Sequence, residues 1–187
     1  MKRIAIFASG EGSNAEAIVR RFKEHNDIEV SVVLSNKKTA NVHDRMSRLG
    51  VPSVTFDKEQ WRDASEIVKF LQSKKIDLIV LAGFLAIISS PIINTYKNKI
   101  INIHPSLLPS YGGIGMWGMN VHNAVIANKE QKSGITIHYV NEDVDGGNII
   151  AQYECDVNTD DSPESLAERI HLLEYKYYPD AIEKLLS

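Results

Sequence analysis

Apolar runs along the chain alternate with segments in which apolar residues recur at helical spacing. Continuous apolar runs are typical of strands buried on both faces, and strands that alternate with helices form parallel sheets through right-handed crossovers. The pattern therefore predicts an α/β fold with a single doubly wound, mostly parallel sheet. The predicted strands are residues 4–9, 28–35, 53–56, 76–82 and 99–103, and the predicted helices are residues 15–25, 41–49 and 61–73, with a further helix that starts at Ser90-Pro91.

The pattern changes after residue 104. A glycine-rich loop at 106–118 is longer than most loops in compact domains, which indicates a functional lid or disorder. A helix is predicted at 119–128, and strands at 135–140 and 148–155 are joined by turn-type residues, which predicts an antiparallel C-terminal hairpin. The segment Asp161–Glu164 predicts the start of a last helix that runs to about Tyr178, where Pro179 is expected to interrupt it. Without a repeat or a linker, residues 1–187 are expected to form a single domain.

Composition narrows the class of protein. The single cysteine, Cys155, excludes an internal disulfide framework and suits a reducing compartment. The net charge of −3, without a basic block, leaves no electrostatic footprint for nucleic acid. No apolar run reaches the roughly 18 residues of a membrane span, and the N-terminus leads into a strand without the features of a signal peptide. We therefore expect a cytoplasmic globular protein with no nucleic-acid or membrane partner.

The stretch from Ile100 to Pro109 carries the main functional hypothesis. It begins as a buried strand and continues into a loop that Pro105 and Pro109 make rigid. Asn102 and His104 thus lie at the carboxyl end of a buried strand, which is where open α/β sheets bind ligands. An amide donor and an imidazole on one rigid support can stabilise an oxyanion and carry a proton. The alternative is a hydrogen-bonded asparagine beside an ordinary core histidine.

A second candidate site is the glycine loop between the first strand and the first helix, Gly10-Glu11-Gly12-Ser13-Asn14. Glycines let the backbone approach a ligand closely, and free N–H groups at a helix start favour an anion. The loop is an imperfect dinucleotide fingerprint, because Ser35-Asn36-Lys37-Lys38 stands where an acidic residue is expected. A phosphomonoester therefore fits better than NAD, and a tight turn without a ligand remains the alternative.

A third candidate is the connector Asp145-Gly146-Gly147. Taken alone it is typical of a solvated hairpin turn, but its carboxylate could instead face the strand end, orient His104 and raise the pKa of that imidazole. His138, on an alternating strand, is interpreted as a hydrogen-bonded sheet residue. No spacing of His, Cys and Asp resembles a metal site, so no metal is expected.

Together these segments resemble the folate-dependent formyltransferase family, and in particular its purine-synthesis members. The resemblance covers essentially the whole chain in the same order. It is carried by residues 7–14 (FASGEGSN), 81–85 (LAGFL), 101–109 (INIHPSLLP) and 145–147 (DGG).

The resemblance implies a Rossmann-like formyltransferase fold, and it implies transfer of a formyl group from 10-formyltetrahydrofolate to the amine of glycinamide ribonucleotide, without a metal. The part at about 1–100 would bind the phosphate, and the part at about 101–187 would bind the folate and perform catalysis. Asn102 would bind the formyl oxygen, His104 would act as the proton-carrying acid, and Asp145 would raise its pKa. Other expected contacts are Gly12, Ser13, Asn14 and Glu174 for the nucleotide and Leu85, Ala86, Ile87, Ile88, Asn102, Glu142, Asp143 and Val144 for the folate.

The chain departs from the family pattern in two places. Ala86 stands where many members have a basic residue, and the segment 111–120 is longer than usual, which fits either a plain insertion or a lid over the amine. Three alternatives remain open: a formyltetrahydrofolate hydrolase, a methionyl-tRNA formyltransferase and a non-catalytic nucleotide- or NADP-binding module. The sequence leaves open whether the protein is a monomer or a homodimer.

Overall fold

The computed structural model describes residues 1–187 and contains one seven-stranded sheet in the order β3-β2-β1-β4-β5-β6-β7. Strands β1 to β5 are parallel, and β6 and β7 are antiparallel to their neighbours. The strands are β1 (Lys2–Phe7), β2 (Ile28–Ser35), β3 (Ser53–Thr55), β4 (Leu78–Leu81), β5 (Ile100–His104), β6 (Lys132–Tyr139) and β7 (Ile149–Asp156), and the helices are α1 (Ser13–Phe22), α2 (Val42–Leu49), α3 (Lys58–Asp63), α4 (Ser65–Ser73), α5 (Ser90–Thr95), α6 (Met119–Ala127) and α7 (Pro163–Leu186). The predicted fold class is confirmed.

Helices cover both faces of the sheet, as the continuous apolar strands require. Successive residues of β1 point to opposite faces, so that Ile4 and Ile6 pack under α1, α2, α6 and α7, whereas Ala5 and Phe7 pack under α3, α4 and α5. The strand order reverses between β1 and β4, and in doubly wound sheets the crevice at this reversal binds ligands. No helix is both long enough and apolar enough to cross a membrane.

The helix predicted at 61–73 is wrong in one respect, because two helices occupy this region. Asp57 and Gln60 form a capping box that starts α3 at Lys58. Ala64 then adopts a left-handed backbone conformation with φ of 62°, which ends α3 and begins α4. Ala64 is fully buried, so a small side chain is needed where α3 meets α4.

The prediction that Pro179 interrupts the last helix is also wrong, since α7 runs from Pro163 to Leu186. An internal proline removes one helical hydrogen bond and disfavours the helix around it. The adjacent Tyr178 opposes this cost: it is fully buried, and its hydroxyl donates to the carbonyl oxygen of Leu81 at 2.9 Å and lies 3.3 Å from that of Ile101. Docking of the helix on the sheet therefore overrides the local preference.

Candidate active site

A cavity of about 530 Å³ opens at the carboxyl ends of β1, β4 and β5, where the strand order reverses. Strand β1 leads to the glycine loop on one side of the cavity, and β5 brings Asn102 and His104 to the other. All residues that the sequence and the resemblance assigned to the site line this one cavity: Gly12, Ser13, Asn14, Leu85, Ala86, Ile87, Ile88, Asn102, His104, Glu142, Asp143, Val144, Asp145 and Glu174.

The loop after β5 is held by a buried hydrogen-bond network around Thr136 of β6. Its hydroxyl donates to the carbonyl oxygen of Ser106 at 2.7 Å and accepts from the N–H of Leu108 at 2.9 Å. The side chain of Gln152 on β7 donates to the carbonyl oxygen of Leu108 at 2.9 Å. These bonds satisfy backbone groups that the loop would otherwise bury unpaired, so the end of β5 is a rigid support for His104.

His104 is buried, and both of its ring nitrogens face acceptors. Nε2 lies 2.7 Å from the carbonyl oxygen of Tyr111, and Nδ1 lies 3.5 Å from Oδ2 of Asp145. Burial lowers the pKa of His104, while the Asp145 charge and the Tyr111 carbonyl act in the opposite direction and His138 adds a further decrease. The predicted effect of Asp145, which is to raise the pKa of His104, is correct in direction. The pKa of His104 is nevertheless lowered overall, because the effect of burial is larger than that of Asp145.

Asp145 sits in the tight connector between β6 and β7 and has a left-handed backbone, with φ of 55°. A side chain at Gly147 would lie 1.7 Å from the carbonyl oxygen of Tyr139, and one at Gly146 would lie 2.7 Å from Cβ of Asp143. The two glycines are therefore required by close packing, and the Asp145 carboxylate in this connector faces His104. Burial would raise the pKa of Asp145, but the nearby His138 imidazole, the hydrogen bond from the N–H of Gly113 and the charge of His104 hold that pKa below its usual value.

The glycine loop leads into α1 with free donors. Gly12 is the N-cap with φ of 73°, and no side chain caps the helix start, so the first N–H groups remain available to an anion. The side-chain amide of Asn14 donates to Oε2 of Glu174 on α7 at 2.8 Å. A β-carbon at Gly12 would lie 2.5 Å from Cγ2 of Val42, so this glycine also permits α1 and α2 to pack together.

The turn after β4 forms another wall of the cavity. Ser9 fixes this turn, because its hydroxyl accepts from the N–H of Leu85 at 2.9 Å and donates to Asn36 at 2.7 Å. Leu85 and Ile87 are more than half exposed, and Val144 of the facing connector is also exposed. Exposed apolar side chains on the walls of a cavity are suited to a flat apolar ligand.

The segment 111–120 forms part of the cavity wall, with residues 113–118 lining it. Gly113, Gly115 and Gly118 have positive φ angles that allow its sharp turns. Ile114 and Trp117 are 90% and 54% exposed. Whether the segment closes over an amine remains a prediction.

Comparison with known proteins identifies the family. The family model described as "Formyl transferase" matches residues 2–182 of the chain. The chain belongs to the formyl transferase family.

The chain is similar to formyltransferases from bacteria and to a human purine biosynthetic protein. A phosphoribosylglycinamide formyltransferase from Bacillus subtilis is 40% identical over 192 residues, which cover 100% of this chain and 96% of that protein. The crystal structure of phosphoribosylglycinamide formyltransferase from Streptococcus pneumoniae has a TM-score of 0.89 and 32% identity, with 100% of both chains covered. The human trifunctional purine biosynthetic protein adenosine-3 is 35% identical over 99% of this chain, which spans only 18% of that protein.

His138 also lines the cavity, although sequence reasoning did not assign it to the site. It lies on β6 directly opposite Asn102, its Nδ1 donates to the carbonyl oxygen of Tyr139 at 2.9 Å, and its Nε2 lies 3.2 Å from Nδ2 of Asn102. Nε2 also lies 3.6 Å from Oδ1 of Asp145. His138 is therefore a hydrogen-bonded sheet residue, as predicted, but its bond to Asn102 orients one of the candidate catalytic residues. The signal was the register of β5 on β6, which the sequence alone does not give.

Two further histidines line the cavity of the formyltransferase without having been assigned. His122 on α6 is buried, its Nδ1 has no hydrogen-bond partner, and burial together with His171 and His104 lowers its pKa to about 4. His171 is exposed on α7, one turn before Glu174. No group of three or more His, Cys, Asp and Glu side chains is arranged to hold a metal ion.

Proposed function

We propose that the chain transfers the formyl group of 10-formyltetrahydrofolate to the amine of 5-phosphoribosylglycinamide, giving formylglycinamide ribonucleotide and tetrahydrofolate in purine synthesis. The observation that carries the proposal is that one cavity joins a helix start with free N–H donors to the cluster of Asn102, His104 and Asp145. Such a cavity offers N–H donors for a phosphorylated acceptor and an amide and an imidazole for a formyl donor. The names of the similar enzymes support this choice of substrates.

The nucleotide would bind along α1 and α7. The N–H groups after Gly12 and the side chain of Ser13 would hold the phosphate, because the helix start offers unpaired donors and a favourable dipole. Asn14 and Glu174, which are joined by a hydrogen bond, would contact the ribose or the glycinamide arm. This direction brings the amine towards the end of β5.

The formyl donor would lie between the turn 85–88 and the connector 142–145. The apolar side chains of Leu85, Ile87 and Val144 would pack against the flat rings of the folate, and Ile88 forms the buried floor beneath them. Glu142 and Asp143 stand at the same wall and would contact the polar parts of the folate. Ala86 contributes no charge to this wall, so at position 86 the folate would meet an apolar side chain.

The chemistry would take place beside Asn102, His104 and Asp145. The amine nitrogen attacks the formyl carbon, and the charge that develops on the formyl oxygen is stabilised by the side-chain amide of Asn102 and by the His104 imidazolium. The bond between the formyl carbon and N10 of the folate then breaks, N10 takes up a proton, and the amine loses one. Asp145 stabilises the charged form of His104 during this exchange.

The test measures tetrahydrofolate release from 10-formyltetrahydrofolate with and without glycinamide ribonucleotide. Release that depends on the nucleotide, with formylglycinamide ribonucleotide formed in equal amount, is the expected result. Release without the nucleotide would point to a hydrolase, which could use the same three residues but has no need of the Gly12–Asn14 loop. Absence of any release, with nucleotide binding retained, would point to a binding module.

A further inference from the structure

The contact between His104 and Tyr111 defines which imidazole nitrogen faces the site. A carbonyl oxygen can only accept, so the 2.7 Å contact from Nε2 to the Tyr111 carbonyl requires a hydrogen on Nε2. Nδ1 is then the nitrogen that gains and loses the proton, and it faces Asp145 at 3.5 Å. A carbonyl fixed on Nε2 thus sets the tautomer of the neutral ring and its orientation.

The same short segment also holds Asp145. The N–H of Gly113 donates to Oδ2 of Asp145 at 3.0 Å, so backbone groups two residues apart bind both members of the pair. Gly112 between them is closely packed, because a β-carbon there would lie 2.5 Å from Cδ2 of Leu108 and 3.6 Å from Cβ of Asp145. The geometry of the His-Asp pair therefore depends on the placement of residues 111–113.

The backbone of Tyr111 has a strained conformation in this segment. Its φ is 57°, a left-handed conformation that is a true outlier for a bulky residue and persists only where the surroundings enforce it. The surroundings here are the phenol contacts: the hydroxyl donates to Oε1 of Glu130 at 2.6 Å and accepts from Nδ2 of Asn128 at 2.9 Å. The ring also packs against the hydrophobic core on the face of the sheet that α1, α2, α6 and α7 cover.

We propose that Tyr111 is a positioning residue for the reaction: its phenol, anchored on Asn128 and Glu130 beyond the end of α6, holds the backbone carbonyl that fixes the His104 tautomer. Tyr111 is not among the residues that line the cavity. Its effect reaches the site only through its backbone. The kinetic part of this inference rests on the proposed function, whereas the effect on the imidazole does not.

The titration of His104 gives the direction of the expected change. The groups that face the ring are Asp145 on the connector, His138 on β6, His122 on α6 and the Tyr111 carbonyl. The carbonyl stabilises the charged ring and raises its pKa. Loosening of the carbonyl should therefore lower the pKa of His104 and leave less of the protonated form near neutrality.

The experiment compares Tyr111→Phe with Glu130→Ala, with the conservative Glu130→Gln and with a matched control. The side-chain oxygen of Gln at position 130 can still accept the hydrogen bond from the Tyr111 phenol, whereas Ala cannot. Glu130→Gln should therefore keep the anchor that Glu130→Ala removes. Tyr177→Phe is the control, because Tyr177 is partly buried, stacks on Tyr153 at 3.7 Å and lies outside the cavity. Substrate-free ¹⁵N NMR of the His104 ring reports the tautomer and the pKa, and steady-state kinetics report kcat and KM.

In Tyr111→Phe and Glu130→Ala, we expect a mixed tautomer, a lower His104 pKa, and kcat reduced by about 10-fold while the KM of both substrates stays within about two-fold. Glu130→Gln and Tyr177→Phe should match the native protein. A native His104 spectrum in both Tyr111→Phe and Glu130→Ala would overturn the proposal, as would a loss of kcat that merely follows the unfolded fraction in thermal melting. If the variants alter the His104 spectrum but the native protein has no transferase activity, the proposed function is rejected and the effect of Tyr111 on His104 is retained.

Discussion

Asn14 and Glu174 are 160 positions apart in the sequence, and their side chains are joined by a 2.8 Å hydrogen bond inside the cavity. This bond ties the start of α1 to the middle of α7. Glu174 is buried, so its pKa is raised by burial, and the Asn14 amide and the charge of His171 only partly oppose that change. The carboxyl group is thus held at a cost in stability whenever it is ionised.

The substitution Glu174→Gln should therefore stabilise the protein and weaken nucleotide binding. The folded-state pKa lies above the unfolded value, so the native protein loses stability as the pH rises from about 4 through the folded pKa. The variant lacks this loss and should gain about 1 kcal/mol at neutral pH. Urea unfolding between pH 5 and 8 and the KM of the nucleotide measure the two effects, and Glu168→Gln on the exposed face of α7 is the control. A variant with unchanged stability at pH 8 would contradict the reasoning.

Asn102→Ala should reduce kcat by roughly 10²–10³ if the amide stabilises charge on the formyl oxygen. The structure adds that this side chain is held 3.2 Å from Nε2 of His138. His138→Ala should then produce part of the same loss, because the amide would rotate more freely. Steady-state kinetics should be recorded beside thermal melting. Activity that falls only with the folded fraction would mean that Asn102 serves the sheet and not the reaction.

Asp145→Asn tests the charge next to His104. Asparagine tolerates the left-handed backbone and can still accept from the N–H of Gly113, so the connector should fold normally. Loss of the carboxylate should lower the His104 pKa further and reduce kcat by about 10²–10⁴. NMR titration of His104 and kinetics measure both quantities, with the exposed Asp160→Asn as control. If the variant has the native His104 pKa and the native kcat, Asp145 serves only as a turn residue.

Ser13→Ala is the sharper test of the phosphate site. Gly12→Val would test the site less directly, because a β-carbon at Gly12 would lie 2.5 Å from Cγ2 of Val42, so that variant should mainly lose stability. Ser13→Ala leaves the backbone intact and should raise the KM of the nucleotide by about 10-fold without changing that of the folate. Equal KM values for the nucleotide in native and variant enzyme would remove Ser13 from the site.

The positions of Asn102, His104 and Asp145 could be predicted because strand ends and glycine turns leave local marks in the sequence. Glu174 carried no mark of its own, and only the family resemblance assigned it to the cavity. His138 was undervalued because its role depends on the register of two strands, and Tyr111 was missed because it acts through a backbone carbonyl. Two helix predictions failed because buried packing outweighed the local sequence pattern. Packing of Tyr178 keeps α7 continuous through Pro179, and packing at Ala64 divides the predicted helix into α3 and α4.

The contacts of the Tyr178 hydroxyl with the carbonyl oxygens of Leu81 and Ile101 also bear on the order in which the protein folds. They connect residues 97 and 77 positions apart, and long-range contacts of this kind form late because a large loop must close first. During synthesis the glycine loop and the end of β5 are made well before α7. A nascent chain that lacks α7 therefore lacks the Glu174 wall, and nucleotide affinity should arise only when the last helix docks.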